Sequence, residues 1–173
     1  MPYRVTVVMD LFKGPHEQAL SHKALQHMLD CLYRIDCDWL AAHPETPGIY
    51  DSGIVEKAPG KMVSVVQRQM SMRQLEVEQP DIRQTRMHYQ EEPLGQEDWK
   101  DIPTCLQDGI ADCEDLACWR AAELTVRHGI QARPFFSYKV RPNGSYLYHI
   151  KVKYPDGTEE DPSRKLGMGR HLF

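Results

Sequence analysis

The sequence predicts an α+β fold: a central, cysteine-bearing helix packed on an antiparallel sheet, with a long N-terminal helix alongside. Three observations carry this. Between residues 16 and 42, Ala24, Met28, Leu32 and Ile35 recur at threes and fours, the spacing of a helix face. Residues 112–128 open on an Asp and stop at Gly129, as a helix with a cap at each end does. Beyond them, β-rich runs at 132–140 and 145–154 are separated by Pro-Asn-Gly and followed by Pro-Asp-Gly, both turn signals.

Residues 3–9, YRVTVVM, are β-branched and roughly alternating, which predicts a strand closed by Gly14-Pro15. The first helix runs from about His16 to Ala42. Leu25, Leu29 and Trp39 widen its apolar stripe, and His43-Pro44 then Pro47-Gly48 end it. Residues 49–98 show no single period. KMVSVVQRQMSMRQLEVEQ suits an amphipathic helix through Met62, Val66 and Met70, or two strands with Leu75 and Val77 alternating against Glu76 and Glu78. Pro80 and Pro93 bound a second, polar piece, DIRQTRMHYQEE. Residues 55–92 therefore read as an insertion on a single domain spanning 1–173. Trp99 and Pro103 read as packing residues in the loop before the second helix. There Asp112 is a good N-cap, and Asp115 three residues later completes a capping box. Leu116, Ala117, Ala121 and Leu124 form one face of that helix. Cys118, Ala122 and Val126 add apolar character on another flank, so the helix is expected to be central. Gly129 and Ile130 supply its stop. A short third strand is expected in TEEDP, 158–162.

Composition narrows the function. Apolar residues make up 41% and charged residues 27% of 173 residues, as in an ordinary globular domain. The net charge is −4 and the pI near 6.0, with no basic run interleaved with aromatics, so nucleic acid is not expected as a partner. No apolar run is long enough to span a bilayer, and the N-terminus lacks the core of a secretory signal. Five cysteines, none in a CxxC pair, argue against a disulfide framework or a zinc ribbon and for reduced thiols in the cytoplasm.

Cys113 sits at the first turn of the central helix, where N–H groups and the macrodipole favour a thiolate and can hold an oxyanion. Its acidic neighbours oppose the thiolate. A small packing residue is the plainer assignment, and it suits Cys31, Cys37 and Cys118. Cys105, in the preceding loop, stays open. A nucleophilic cysteine needs a base. His149 lies in YLYHIKVKY, on the strand face shared with Leu147, Lys151 and Lys153, and is expected near a surface. Asp161 follows twelve residues later, across one tight turn, where it could orient the imidazole.

Trp99 to Ala117 (W-x-D-I-P-T-C-L-x-x-G-x-x-D-C-E-D-L-A), then H-G-I-Q-A-R-P, Y-H-I-K-V and E-D-P-S, resembles the transglutaminase-like superfamily. These are papain-related proteins with a Cys, His, Asp triad in that chain order. The D-C-E-D string is most similar to the bacterial transglutaminase-like cysteine proteinases, and small phage-encoded relatives share the wider wording. The likeness covers about residues 99–168. It implies that Cys113 is the nucleophile, His149 the base and Asp161 the orienter, acting on a peptide or protein substrate. Some bacterial relatives bind calcium through acids flanking the nucleophile, which Asp112, Glu114 and Asp115 match; helix capping explains the same residues. Gln107, six residues before Cys113, matches a papain-like oxyanion donor, or is a solvated loop residue. Two features depart from the pattern: Ile150 follows the histidine where an aromatic is usual, and 55–92 has no counterpart.

The expected function is thiol-dependent acyl chemistry on a peptide or isopeptide amide, hydrolysis before transamidation, with no required cofactor beyond possible calcium. The alternative is a non-catalytic assembly protein, for instance in a phage particle, that keeps the fold and uses 55–92 as a contact surface. The location follows: cytoplasm, or host cytoplasm or virion for a phage protein.

Overall fold

The computed structural model describes residues 4–7, 15–50, 87–91, 97–144 and 146–169. Over these the chain is a mixed α/β molecule. Strand β1 (Arg4–Val7) pairs antiparallel with β3 (Glu97–Lys100), so that Val5 faces Trp99. Helix α1 (Pro15–Ala42) lies between them in sequence. Strand β2 (His88–Tyr89) pairs in parallel with β4 (Ile110–Ala111). Helix α2 (Ile102–Asp108) precedes β4, and helix α3 (Cys113–His128) follows it. Strands β5 (Arg133–Val140), β6 (Tyr146–Lys153) and β7 (Glu159–Glu160) form an antiparallel meander, closed by the short helix α4 (Pro162–Lys165).

Helix α3 is the centre of the molecule, as its apolar circumference predicts. Leu116, Ala117, Cys118, Trp119, Ala121 and Ala122 are all fully buried. They pack against α1, β5, β6 and α4. The small residues let α1 approach closely through Leu25, Leu29 and Leu32, while Ile150 and Val152 close the sheet side. Each fully buried leucine here contributes about 2 kcal/mol of apolar transfer. Gly129, at φ 68°, takes the left-handed conformation that ends α3, and its N–H donates to Leu124 O.

The segment before α3 is more structured than a loop. Residues 102–108 form α2, with Asp101 as N-cap accepting the Thr104 N–H at 3.0 Å. Pro103 stands in its first turn, where a missing N–H is tolerated. Cys105 is thereby a buried helical residue and not a loop thiol. Gly109, at φ 72°, turns the chain out of α2 towards Cys113. Trp99 is 5% exposed and packs in the core as expected, but from a strand.

Most of the insertion expected at 55–92 lies outside the described residues. Its end, residues 87–91, is an integral part of the fold: β2 is stitched to β4, and the Tyr89 N–H donates to Leu166 O at 3.1 Å. Among the described residues, no helix is long and apolar enough to cross a membrane.

Two buried carboxylates hold these pieces in register. Asp36 of α1 accepts the Ile102 N–H at 3.0 Å, tying α1 to the start of α2. Burial pushes its carboxyl well above the usual carboxylate range. Asp115 of α3 accepts the Lys100 N–H at 2.8 Å and the Asp112 N–H at 3.4 Å, joining β3 to the first turn of α3. Replacing Asp115 with Ala leaves two interior backbone donors unsatisfied. It is expected to cost about 2–4 kcal/mol in urea unfolding, with Asp115→Asn recovering part of that loss.

Candidate thiol site

Cys113 is the first residue of α3 and is half-buried. The capping box places it: Asp112 is the N-cap in extended conformation, and its N–H meets the Asp115 side chain. The thiol therefore lies beside the first-turn amides, the position the sequence assigns it. Its Sγ donates to Glu114 Oε2 at 3.4 Å. Glu114 and Asp112 are themselves buried, at 3% and 5% exposure.

The other thiols differ. Cys105 and Cys118 are buried and donate to Lys100 O and Leu29 O, and burial pushes both thiols well above their ordinary value. Cys37 is raised by burial to a lesser degree. Cys31 is exposed on α1, 3.7 Å from His27 Nε2.

His149 and Asp161 meet. The imidazole Nε2 lies 2.8 Å from Asp161 Oδ2. A carboxylate accepts only, so the neutral imidazole making this bond carries its proton on Nε2 and its lone pair on Nδ1. The register explains the contact. Val152 faces Glu160, which carries Asp161 to the level of Lys151, on the same strand face as His149 and one step along the diagonal. The Pro-Asp-Gly turn sets that register: Asp156 accepts the Thr158 N–H at 2.9 Å, and the Tyr154 N–H donates to Thr158 O at 2.8 Å. Asp161 is also the N-cap of α4, accepting the Arg164 N–H at 3.2 Å. Burial pushes its carboxyl up. The bonds from His149 and Arg164 outweigh that and hold it below the usual range.

The strand face shared with Lys151 predicts an accessible His149; the imidazole is instead 2% exposed. Helix α4 folds back onto β6 and shields the end of the strand, which alternation along the strand does not reveal.

Strand β2 links the two halves. His88 and Gln90 N–H groups donate to Gly109 O and Ala111 O, just before Cys113, while Tyr89 N–H reaches Leu166, beyond Asp161. Burial first, then Cys113, Glu91, Asp112 and Glu114 around it, hold the Tyr89 phenol above its ordinary value. Tyr89 thus belongs to the surroundings of the thiol. The sequence offered no sign of it, because two residues of strand in a polar stretch carry no period.

Gln107 is exposed in the last turn of α2. Asp112, Glu114 and Asp115 each offer one oxygen, and these lie within 4.8 Å of one another. They are hard donors of the kind calcium takes, three of the six to eight it requires. Asp115 is the most committed of them, because both its oxygens already accept backbone N–H groups.

Glu160, next to Asp161, points to the opposite face. It accepts from Arg120 Nε at 3.2 Å, from Lys165 Nζ at 2.7 Å and from the hydroxyls of Tyr50 and Tyr154. Arg120 continues to Glu123 at 2.8 Å, and both Arg120 and Lys165 lie over the Tyr50 ring. The hub anchors β7 to α3 and so fixes where Asp161 begins.

No protein-family model, curated protein or solved structure matches the chain.

Burial alone would raise the Glu160 carboxyl, but its Lys165, tyrosine and Arg120 partners lower it from 4.5 to about 2. A depressed carboxylate stabilises the fold above its unfolded value and loses that contribution as pH falls through the folded one. Stability is therefore expected to drop as pH falls from about 4.5 to about 2. Glu160→Gln is expected to cost about 3 kcal/mol near neutral pH and to flatten that acid slope, read from urea midpoints across the range.

Proposed function

We propose that this chain is a thiol-dependent acyl-transfer enzyme of transglutaminase-like fold that acts on a peptide or isopeptide amide. The single observation that carries the proposal is the buried His149 Nε2 contact to Asp161 Oδ2 at 2.8 Å. It orients an imidazole that carries its proton on Nε2, in a chain whose thiol opens a central helix. The resemblance over residues 99–168 supports the same assignment.

In this mechanism Cys113 sulfur attacks the substrate carbonyl as its proton passes to His149 Nδ1. Asp161 holds Nε2–H and stabilises the imidazolium. The first-turn N–H groups of α3, with Gln107, stabilise the tetrahedral oxyanion. His149 returns the proton to the leaving amine, and the acyl group is left on sulfur as a thioester. Water as the second nucleophile completes hydrolysis; an amine completes transamidation. A calcium ion held by Asp112, Glu114 and Asp115 is a subsidiary proposal: its charge would offset the carboxylates' repulsion of a thiolate. A melting temperature raised by calcium and unmoved by magnesium is the expected result, and no response to calcium sinks the metal without touching the triad.

The second reading is a non-catalytic assembly protein. What favours it is the Glu114 carboxylate on the thiol, whose charge opposes loss of the proton from sulfur.

Mapped iodoacetamide labelling near neutral pH separates the two, with exposed Cys31 as internal reference. The enzyme predicts that Cys113 reacts at least about tenfold faster than Cys31, and that His149→Gln removes the advantage. Glu114→Gln is expected to speed Cys113 labelling by about threefold or more, by removing the opposing charge. Cys113 labelling no faster than Cys31, together with ordered oligomers in light scattering, would leave the assembly protein standing.

A further inference from the structure

The oxygen of Asp161 that faces His149 is shared. Arg164 Nε lies 3.1 Å from Oδ2, the same atom that takes His149 Nε2 at 2.8 Å. The Arg164 backbone N–H holds the other oxygen, Oδ1, at 3.2 Å. The three groups step outward: the side chains of His149, Asp161 and Arg164 are 3%, 15% and 39% exposed. The imidazole is thus enclosed, and the guanidinium lies on the solvent side of the carboxylate.

We propose that Arg164 is a positioning residue for the His149–Asp161 pair: it fixes the carboxylate from the solvent side and takes up part of the negative charge that the imidazole would otherwise feel. For its consequence on rate the inference rests on the reading that His149 is the base; the electrostatic effect itself does not need that reading.

The charge count is simple. With neutral His149 the trio of imidazole, carboxylate and guanidinium sums to zero. With imidazolium it carries one surplus positive charge. Arg164 therefore disfavours the imidazolium and helps keep the basic form of the ring. A lone carboxylate would pull the other way, favouring the charged ring.

Among the described residues, charged groups on the neighbouring elements have partners of their own. Lys151, on the same face of β6, pairs with Glu159 at 3.4 Å. Lys165 of α4 turns to Glu160, which also takes Arg120 of α3. From β5, the residue opposite His149 is the neutral Ser137, whose hydroxyl donates to His149 O. At the start of α3, Glu114 accepts from Cys113. Arg164 is the cation that shares an atom with the imidazole's partner.

The test is a titration of the His149 ring by NMR, its signal assigned by loss in His149→Gln. Arg164→Gln is expected to raise the midpoint by about half a unit to one unit, and Arg164→Lys to keep it near wild type. In the labelling assay the low-pH limb of the Cys113 rate is expected to move up by the same amount in Arg164→Gln. A midpoint at or below wild type in Arg164→Gln overturns the proposal. Should Arg164→Gln not fold, Arg164→Met decides on the same midpoint: a rise supports the proposal and no movement overturns it. If Cys113 proves inert while the NMR shift appears, the enzyme reading fails and Arg164's effect on the pair stands.

Discussion

The carboxylate of Asp115 accepts two backbone N–H groups from two separate segments, Lys100 at the end of β3 and Asp112 at the head of α3. Apolar packing is nondirectional and would tolerate a shift of α3 along its axis by a fraction of a turn. The two hydrogen bonds do not, because a shift strands both donors inside the protein. Cys113 lies two residues before this anchor, so its position follows from that of Asp115. The β1–β3 ribbon follows too, since Lys100 pairs with Arg4. Asp36 repeats the device one step back, by taking the first N–H of α2. Burial first, then the neighbouring carboxylates Asp101 and Asp115, hold the Asp36 carboxyl well above its usual range, while Asp115 accepts from amides.

The same economy governs the other end of the site. Glu160 and Asp161 are neighbours, and a strand sends neighbours to opposite faces. Glu160 faces the helices and collects Arg120, Lys165, Tyr50 and Tyr154. Asp161 faces away and collects His149 and Arg164. One residue fixes the strand and the other uses the position so fixed. A two-residue strand has too few ladder bonds to hold the Asp161 carboxylate in register. The ionic hub on its reverse face supplies what the ladder lacks, and the short helix capped by Asp161 supplies the rest.

Much of this was legible in the residues. Helix α3 came out with both ends right because Asp112, Asp115 and Gly129 are local signals, decided within a turn of chain. The hairpin and its return were legible because Asn143-Gly144 and Asp156-Gly157 admit few turn geometries, and the turn length then set the register that joins His149 to Asp161. What escaped is non-local. Strand β2 owes its existence to β4 and Leu166, neither of which leaves a mark on residues 88–89. His149 is buried on a strand face that reads as polar, and α4, which packs on β6, is a single turn that hardly registers as a period. The acids of the Glu160 hub look like any charged strand end until Arg120, forty residues earlier in the chain, is seen beside them.

Cys113 is where the local and non-local forces conflict. The first turn of α3 offers amides that favour a thiolate, an effect that falls off within that turn. Glu114, in the same turn, accepts the thiol hydrogen and opposes it. Its carboxylate is nearly fully buried, so water screens it little, and the opposition is stronger than that of an exposed acid at equal distance. The amides and the carboxylate thus act in opposite directions on the proton at sulfur. A base that takes the proton from sulfur, or a cation among the acids, would act against Glu114. Both act on one equilibrium, the proton on sulfur. Such an arrangement places the control of the thiol's reactivity in the charges around Cys113 rather than in the cysteine itself.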